Sequence, residues 1–399
     1  MTFPADHDPI TALVPEEQRT VERWMALIPH DAVHVRDGRT FAAGAGGAAR
    51  TRQPWPSTVA GAVGAAVRDA GGSEEPRTLR GPLLALKVGT RPWALHFPVP
   101  ADLVPDKKDS RRWHRLRPEE PSAARTDLDS SELKLQWMLS THAGEPSADR
   151  WWGQAALKKY LHGEAHEDRD LTGAPQPLVT ELRTGIAIQE RRVLHSHMYA
   201  TEFLRLGETD PSRNAQRQWA FVTLGEFRPG STPPTSSSVR FGGAGRIADL
   251  QTCDVDPARS IPERPERFPD GRILVYLATP GIWRSQDETG AWRNTWRPQL
   301  PDGAELVSAA VNGPQHVARS GVDRRGELEY SWLQWAVPAG SVYLLQFSGA
   351  TPEAREHAAK TWAARAHGRA WGEDTSNDDA DGRRLATAGF GLILTGTWT

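Results

Sequence analysis

The chain has 399 residues, and its 48 basic and 50 acidic residues give a formal net charge of -2. This length suffices for two hydrophobic cores, because single cores stop growing at roughly 250 to 300 residues. The balanced charge excludes a polycation that attracts nucleic acid over its whole surface, and the single cysteine, Cys253, excludes an intramolecular disulfide and a cysteine-rich zinc site.

The N-terminal residues are polar, and no uninterrupted apolar run has the length of a membrane span. We therefore expect a cytoplasmic protein with no membrane partner. Nearly all the positive charge is arginine, whose planar guanidinium group suits contacts with phosphates and bases.

The first part of the chain predicts strands and one helix. Apolar residues at helical spacing indicate a helix that begins after the prolines of residues 54–56, with Ser57 or Thr58 as the N-cap. The free N–H groups at its start could hold a phosphate. Strands are expected within Gly81–Pro100, whereas the polar and charged Ala101–Ser130 predicts an insertion or exposed loop.

The middle of the chain combines clustered cations with alternating apolar residues. Residues 181–195 carry three arginines, a histidine and a glycine. Residues 198–206 and 218–227 alternate, which predicts two antiparallel strands joined by a polar loop. Next comes a glycine loop, residues 242–245, which lies between Arg240 and Arg246 and precedes a short apolar strand.

The proline-rich and charged residues 254–271 predict a domain boundary, with one domain over 1–257 and another over 258–399. The second half repeats the order of the first. Its predicted elements are a strand at 272–279, a strand at 339–347, a helix at 352–366, an exposed loop at 377–384, a second glycine loop at 389–391 and a final strand. Two glycine loops that each precede a strand indicate an internal duplication.

Common hydrolase and nucleotidase motifs are absent from the sequence, and we predict neither a cofactor nor a metal site. The pair His30-Asp31 is interpreted as a surface turn. Each glycine loop could simply relieve a tight turn, or its amides and neighbouring arginines could hold phosphates. The tryptophan pairs Trp292/Trp296 and Trp332/Trp335 could stack on unpaired bases or could belong to a core or subunit interface.

Six short motifs occur in the order expected for one protein family. They are Arg36-Asp37-Gly38-Arg39, Pro56-Ser57-Thr58-Val59-Ala60-Gly61-Ala62, Pro100-Ala101-Asp102-Leu103-Val104, Arg183-Thr184-Gly185-Ile186-Ala187-Ile188, Phe241-Gly242-Gly243-x-Gly245-Arg246 and Ala388-Gly389-Phe390-Gly391-x-x-x-x-Gly396-x-Trp398. With these motifs the chain resembles subunit three of the Cmr complex, a RAMP-superfamily family of type III-B CRISPR interference systems, from about residue 27 to 398.

The resemblance implies an α+β fold of two tandem ferredoxin-like, RRM-like domains with antiparallel sheets and glycine-rich loops. It implies a non-catalytic subunit that binds the 5′ handle of the CRISPR RNA (crRNA) and contacts the large polymerase/cyclase-type subunit and the first backbone subunit in antiviral defence. Carried over by position, the RNA-binding residues are Arg36, Arg39, Ser57, Thr58, Arg183, Thr184, Gly185, Gly242, Gly243, Gly245, Arg246, Gly389 and Gly391.

Two other functions remain open from the sequence. One is a metal-independent endoribonuclease that processes CRISPR repeat RNA, with His34 or His195 as general acid or base. The other is a protein-binding scaffold that carries no RNA.

Overall fold

The computed structural model of the chain describes residues 20–36, 48–51, 53–72, 75–119, 135–139, 144, 150–165, 175–207, 217–231, 234–322, 328–372 and 380–398. Arg39 lies outside the described residues. Among the helices of the described part, none has the length and apolar character that crossing a membrane requires.

The described strands are β1 (Val21–Pro29), β2 (Ala48–Ala49), β3 (Thr78–Val88), β4 (Ala94–Pro98), β5 (Leu103–Pro105), β6 (Trp113–Arg115), β7 (Arg117–Glu119), β8 (Trp137–Leu139), β9 (Trp151–Gly153), β10 (Leu178–Gln189), β11 (Arg192–Leu206), β12 (Arg217–Phe227), β13 (Ser236–Arg240), β14 (Ile247–Thr252), β15 (Arg272–Leu277), β16 (Trp283–Gln286), β17 (Trp292–Thr295), β18 (Ala304–Ala310), β19 (Gln315–Val322), β20 (Leu328–Ala336), β21 (Val342–Phe347) and β22 (Ile393–Gly396). The described α-helices are α1 (Pro56–Asp69), α2 (Gln154–Leu161), α3 (Pro352–Ala366) and α4 (Ala380–Thr387).

Two antiparallel sheets form the body of the protein. The first has seven strands in the order β13-β14-β1-β12-β3-β4-β9, and the second has four in the order β18-β21-β15-β22. When the strands are numbered along each half, the inner strands β14-β1-β12-β3 and the whole second sheet share the order 4-1-3-2. The mixed α+β class with mainly antiparallel sheets is therefore confirmed.

The two sheets pack face to face, with a helix on each outer side. Alternate residues of the first sheet, such as Leu83 and Val222, share one buried cluster with Leu274 and Leu394 of the second. This arrangement follows from the period of two along a strand, which sends successive side chains to opposite faces. The core therefore joins both halves of the chain.

The outer face of each sheet is covered by one helix. Valines of α1, including Val63, pack against Phe221 in the first sheet, and Ala359 and Ala363 of α3 pack against the second sheet, where Tyr343 lies. Small residues on α3 allow the helix to approach the sheet closely. The predicted helix at 352–366 is confirmed over its whole length.

Helix α1 begins at Pro56, earlier than predicted, and has a different N-cap. Pro56 occupies the first helical turn, and Trp55 is the N-cap with no side-chain hydrogen bond. Proline suits that position because its fixed φ matches the helix and its missing N–H would have no partner there. The capping role predicted for Ser57 or Thr58 is therefore wrong, and both lie inside the first turn.

The prediction that Ala101–Ser130 is an exposed insertion is wrong for its first part. Asp102 is fully enclosed, accepts a hydrogen bond from the Tyr160 hydroxyl at 2.7 Å, and pairs with Arg115 at 3.1 Å. Burial raises the pKa of Asp102. These partners tie the segment to α2, because an unpaired buried charge would be costly. Residues 120–130 lie outside the described residues.

Two further predictions need correction. Strand β11 pairs with β10 as a long hairpin and not with β12, which lies between β1 and β3. Alternation alone indicates a strand but not its neighbour. The loop predicted at 377–384 instead contains the start of helix α4 at residue 380.

The hairpin of β10 and β11, which we call the hairpin arm, has two different sides. Its exposed large apolar side chains are Leu182, Ile186, Ile188, Val193 and Met198. Arg183, Gly185 and their cross-strand partners Thr201 and Tyr199 belong to the other side. The arm is fixed to the body by mutual backbone hydrogen bonds of 2.8 Å between Val33 and Leu204.

Candidate RNA-binding site

Two of the predicted arginines converge on a single carboxylate. Arg183, from β10, donates to Asp31 with N–O distances of 3.2 and 3.3 Å, and Arg246, from the end of the first glycine loop, donates to Asp31 at 2.7 Å. Asp31 follows β1, whose neighbours in the sheet are β12 and β14. The sheet thus brings together residues that are 152 and 215 positions apart in sequence.

Both guanidinium groups also lie over one aromatic ring. The Cζ atom of Arg183 is 4.7 Å from the centroid of Phe203, and that of Arg246 is 4.6 Å away. Phe203 belongs to β11, directly opposite Glu181 of β10. An aromatic face attracts a cation through its quadrupole. Asp31 and Phe203 together hold the two planar groups in fixed positions.

The charges of this cluster are balanced. Arg183 pairs with Glu181 at 3.0 Å as well as with Asp31. The hydrogen bond from Arg183 is the main reason why the pKa of Asp31 is lowered. The Nε atom of Arg246 is buried and has no hydrogen-bond acceptor among the described residues. An incoming phosphate would therefore compete with two carboxylates for these cations.

The first glycine loop turns against the backbone of His34. Gly242 has a φ of +84°, and a Cβ there would lie 2.6 Å from the His34 carbonyl oxygen. The Gly243 amide donates to that oxygen at 2.7 Å. Only glycine tolerates both the positive φ and this close approach.

The rest of the loop presents backbone groups to solvent. Ala244 and Gly245 also have positive φ, and the space beside Gly245 is open. The amides of Gly242, Ala244 and Gly245 donate to no acceptor in the described part of the chain. Consecutive amides in such a turn form a concave anion-binding surface. The loop therefore offers free donors beside Arg246.

Arg36 lies at the same edge of the protein. It forms an isolated backbone bridge with Thr51, whose side chain also accepts from the Val35 amide at 2.9 Å. The His34 ring is buried, and its Nδ1 atom is 2.9 Å from the Glu202 carbonyl oxygen. Backbone contacts thus join this segment to the hairpin arm.

The remaining predicted RNA-binding residues on the arm and on α1 do not all lie on the side of Arg183. Gly185 shares the side of Arg183, and a Cβ there would collide with the ring of Tyr199. Thr184 belongs to the opposite, apolar side. Ser57 is exposed in the first turn of α1. This turn is linked to the site through Trp55, which shares a buried cluster with Val35, and through Val59, which shares another with Val33 and Phe241.

The second glycine loop is buried. Gly389 packs against the backbone of Leu79 and Gly81 in the first sheet, and its carbonyl accepts from Thr279 at 2.7 Å. Gly391 exchanges backbone hydrogen bonds with the 280 and 371 positions. The loop therefore joins the second sheet to the first, and its glycines do not reach the surface that carries Arg246.

Two residues of the cluster were not predicted to have these roles. Asp31 had been interpreted as part of a surface turn, and Phe203 as one residue of an alternating strand. Their partners lie far away in sequence, so only the sheet order reveals them. The one signal in the sequence is an acidic residue two positions after the end of β1.

Comparison with known proteins gives a consistent result. The family model of the CRISPR-associated protein Cas_Cmr3 matches residues 25–398. A chain in a cryo-EM structure of the Type III-B Cmr-beta bound to cognate target RNA and AMPPnP has a TM-score of 0.46 and 13% identity, covering 93% of this chain and 96% of the other. A second such structure, bound to cognate target RNA, has a TM-score of 0.41 and 14% identity, covering 81% and 86%. No curated protein sequence matches this chain. Because the family model spans nearly the whole sequence, the protein belongs to the CRISPR-associated Cmr3 family.

Proposed function

We propose that this Cmr3-family protein is the non-catalytic, RNA-binding subunit of a type III-B Cmr complex. In this role it grips the 5′ handle of the crRNA and bridges the large polymerase/cyclase-type subunit to the backbone subunits. Family membership supports the assignment to a Cmr complex. The observation that supports the RNA role is the pair of arginines, held by Asp31 and Phe203, beside the free amides of the 242–246 loop.

This arrangement suits phosphate more than base recognition. Backbone amides and guanidinium groups donate hydrogen bonds, and they carry no preference for one base. A phosphate that enters the site replaces Asp31 as the hydrogen-bond acceptor of Arg183 or Arg246. Each guanidinium group therefore keeps an oxygen acceptor before and after RNA binds. The handle sequence would then be selected by the shape of the bound strand and not by base edges.

The proposal of a non-catalytic subunit is supported at His34, one of the two histidines considered as a general acid or base, and at Cys253. The His34 ring is buried, and Nδ1 already has the Glu202 carbonyl as a partner. Burial raises the pKa of the Cys253 thiol to about 12, so this sulfur is not a thiolate near neutral pH. We place target cleavage on other subunits of the complex.

A finer fold proposal is that each half is a variant of a ferredoxin-like domain. Both sheets have the 4-1-3-2 order that such a domain would show. Each half keeps one of the two expected helices on its outer face, α1 after the first strand and α3 after the third. In this proposal hairpins take the places of the second helix in the N-terminal half and of the first helix in the C-terminal half.

The test is handle binding by the double variant R183Q/R246Q. We expect the affinity for RNA with a 5′ repeat-derived handle to fall by about tenfold or more, and the salt slope to decrease by about one for each lost phosphate contact. Fluorescence anisotropy over a salt titration measures both quantities. Unfolding temperatures show whether the variant stays folded.

The control is R111Q, because Arg111 also pairs with an aspartate, Asp109, and lies between β5 and β6, outside the hairpin arm and the first glycine loop. Its RNA affinity should stay unchanged. Equal affinities of the double variant and the wild type across the titration would contradict handle binding at this site. Cleavage of repeat RNA by the lone protein without divalent metal would support the endoribonuclease instead.

A further inference from the structure

A second group of aromatic residues lies on two adjacent hairpins of the C-terminal half. One hairpin is β16 and β17, and the other is β19 and β20. They are joined by a hydrogen bond from the Asn294 side chain to the Trp335 carbonyl oxygen at 3.3 Å. We call Trp292, Trp296 and Trp335 on these hairpins the tryptophan platform.

Two rings of the platform are exposed, and the third, Trp292, is half-buried. Trp335 is 55% exposed and Trp296 is 38% exposed, and Leu333 beside them is 49% exposed. Several other tryptophans of the chain, such as Trp152, are buried in its core. Exposed aromatic side chains grouped in one place typically mark a binding surface.

A guanidinium group lies over the face of two of the rings, and a histidine lies beside the third. The Cζ atom of Arg284 is 5.3 Å from the Trp292 ring, and that of Arg297 is 4.9 Å from the Trp296 ring. The His316 ring lies 6.1 Å from that of Trp335, in a T-shaped contact. The platform therefore combines π-faces with positive charge.

The platform is firmly attached to the body of the protein. Residues on the other face of β19 and β20, namely Val317 and Ala336, are buried together with Val35 and Trp55 of the N-terminal half. Tyr343 of the second sheet donates to the Trp296 carbonyl at 2.7 Å. A surface built on such supports is ordered before any ligand binds, which lowers the entropy cost of binding.

We propose that the tryptophan platform binds single-stranded RNA by stacking an unpaired base on the Trp335 ring, while Arg284 and Arg297, which lie over the neighbouring indole rings, contact the adjacent phosphates. Aromatic rings with arginines nearby are the combination that holds single strands without reading sequence. The hairpin arm offers a contrast, since its exposed side chains are aliphatic and suit a protein partner. The inference shares with the proposed function only the assumption that RNA is the ligand, and it uses none of the residues around Asp31.

Substitutions at Trp335 distinguish a stacked base from a protein contact. W335L keeps apolar bulk but removes the π-face, whereas W335F keeps a smaller ring. L333A removes aliphatic surface beside the ring and leaves the platform intact. A protein interface would tolerate W335L and suffer from L333A, and base stacking predicts the reverse.

The experiment uses the full-length protein and a fluorescein-labelled oligoadenylate of about 12 nucleotides without a handle sequence. We expect W335L to weaken binding about tenfold, whereas W335F and L333A stay within about threefold of the wild type. R297Q should lower the salt slope by about one. Thermal unfolding of each variant shows that a loss of binding does not come from misfolding.

The outcomes separate this inference from the handle site. If W335L weakens oligoadenylate binding and R183Q/R246Q leaves handle binding unchanged, the platform stands and the proposed handle site fails. If W335L binds oligoadenylate as the wild type does, the inference is overturned even when the double variant loses the handle. Loss of a Cmr subunit from L333A complexes, with unchanged RNA affinity of W335L, would identify the platform as a protein interface and would also overturn it.

Discussion

Gly242 allows the chain to turn against the carbonyl of His34, and this contact sets the position of Arg246. We expect G242A to destabilise the protein by more than the roughly 1 to 2 kcal/mol that a left-handed non-glycine residue costs, because its Cβ would also displace the His34 backbone. Denaturant unfolding measures the change in free energy.

G245A is the matched comparison. Gly245 has a φ of +66°, but nothing lies within 4 Å of the position that its Cβ would take. Its substitution should therefore cost only the backbone term, about 1 to 2 kcal/mol. A loss of stability for G245A equal to that for G242A would show that the approach to His34 is unimportant.

At the residue scale, the sequence suggested two arginines of the candidate site but not the residues that hold them. Arg183 and Arg246 follow from the family resemblance and from the glycines that accompany them, and their contact with RNA stays a prediction. Asp31 and Phe203 were not predicted, because their significance depends on which strands are neighbours. The alternation of apolar and polar residues along a strand indicates the side of the sheet on which a side chain lies. The strand order is needed to identify the side chains next to it.

His367 connects three elements just after the end of α3. Its Nδ1 atom accepts from the Thr395 amide at 2.9 Å, and its Nε2 atom donates to the Pro262 carbonyl at 2.7 Å. This pattern requires the neutral ring. Burial is the main cause that lowers the pKa of His367 to about 4.

This histidine makes stability depend on pH in a defined window. The unfolded ring binds its proton near pH 6.5 and the folded ring only near pH 4, so the unfolded state holds more protons between these values. The contribution of His367 to the free energy of unfolding is fully present above about pH 6.5. It falls by roughly 1.4 kcal/mol per pH unit towards pH 4. Denaturant unfolding at several pH values measures how the free energy of unfolding changes with pH. In H367Q this slope should be smaller by the equivalent of about one proton.

Elements with strong local signals were the ones that the sequence predicted well. The helix at Pro352–Ala366 has a proline in its first turn, a threonine cap at Thr351 and alanines at helical spacing. The prediction of an exposed segment from Ala101 was wrong because the buried carboxylate of Asp102 accepts a hydrogen bond from Tyr160, which lies 58 residues away in sequence. Local polarity suggested exposure, and a distant hydrogen bond made burial possible.

At the scale of the whole molecule, the shared core makes the two halves depend on each other. Leu83 and Val222 of the first sheet would be exposed without Leu274 and Leu394 of the second. We expect the separate pieces 1–257 and 258–399 to lack cooperative unfolding when produced alone and to associate when produced together. Circular dichroism and copurification measure these outcomes. Cooperative unfolding of each lone piece near the midpoint of the full chain would contradict this expectation.

The internal duplication suggested by the two glycine loops has a counterpart in the common strand order of the two sheets. The loops themselves have different positions. Gly242 lies at the surface beside Arg246, whereas Gly389 is enclosed between the two sheets. The sequence could not distinguish these environments, because the difference arises only when the halves pack. The predicted boundary at residue 257 stays a prediction.

The hairpin arm has a consequence for how precisely the site must be assembled. Leu182 and Arg183 are neighbours in sequence, so a slip of β10 by one residue against β11 would turn the leucine toward Phe203 and the guanidinium away from Asp31. The type I′ turn at Glu190 and Arg191, with φ values of 50° and 65°, does not fix this register, because the pairing of the two strands shifts between Ile186 and Ile188. The continuous pairing from Ile186 down to Leu178, together with the hydrogen bonds between Val33 and Leu204, therefore sets the arginine against Asp31.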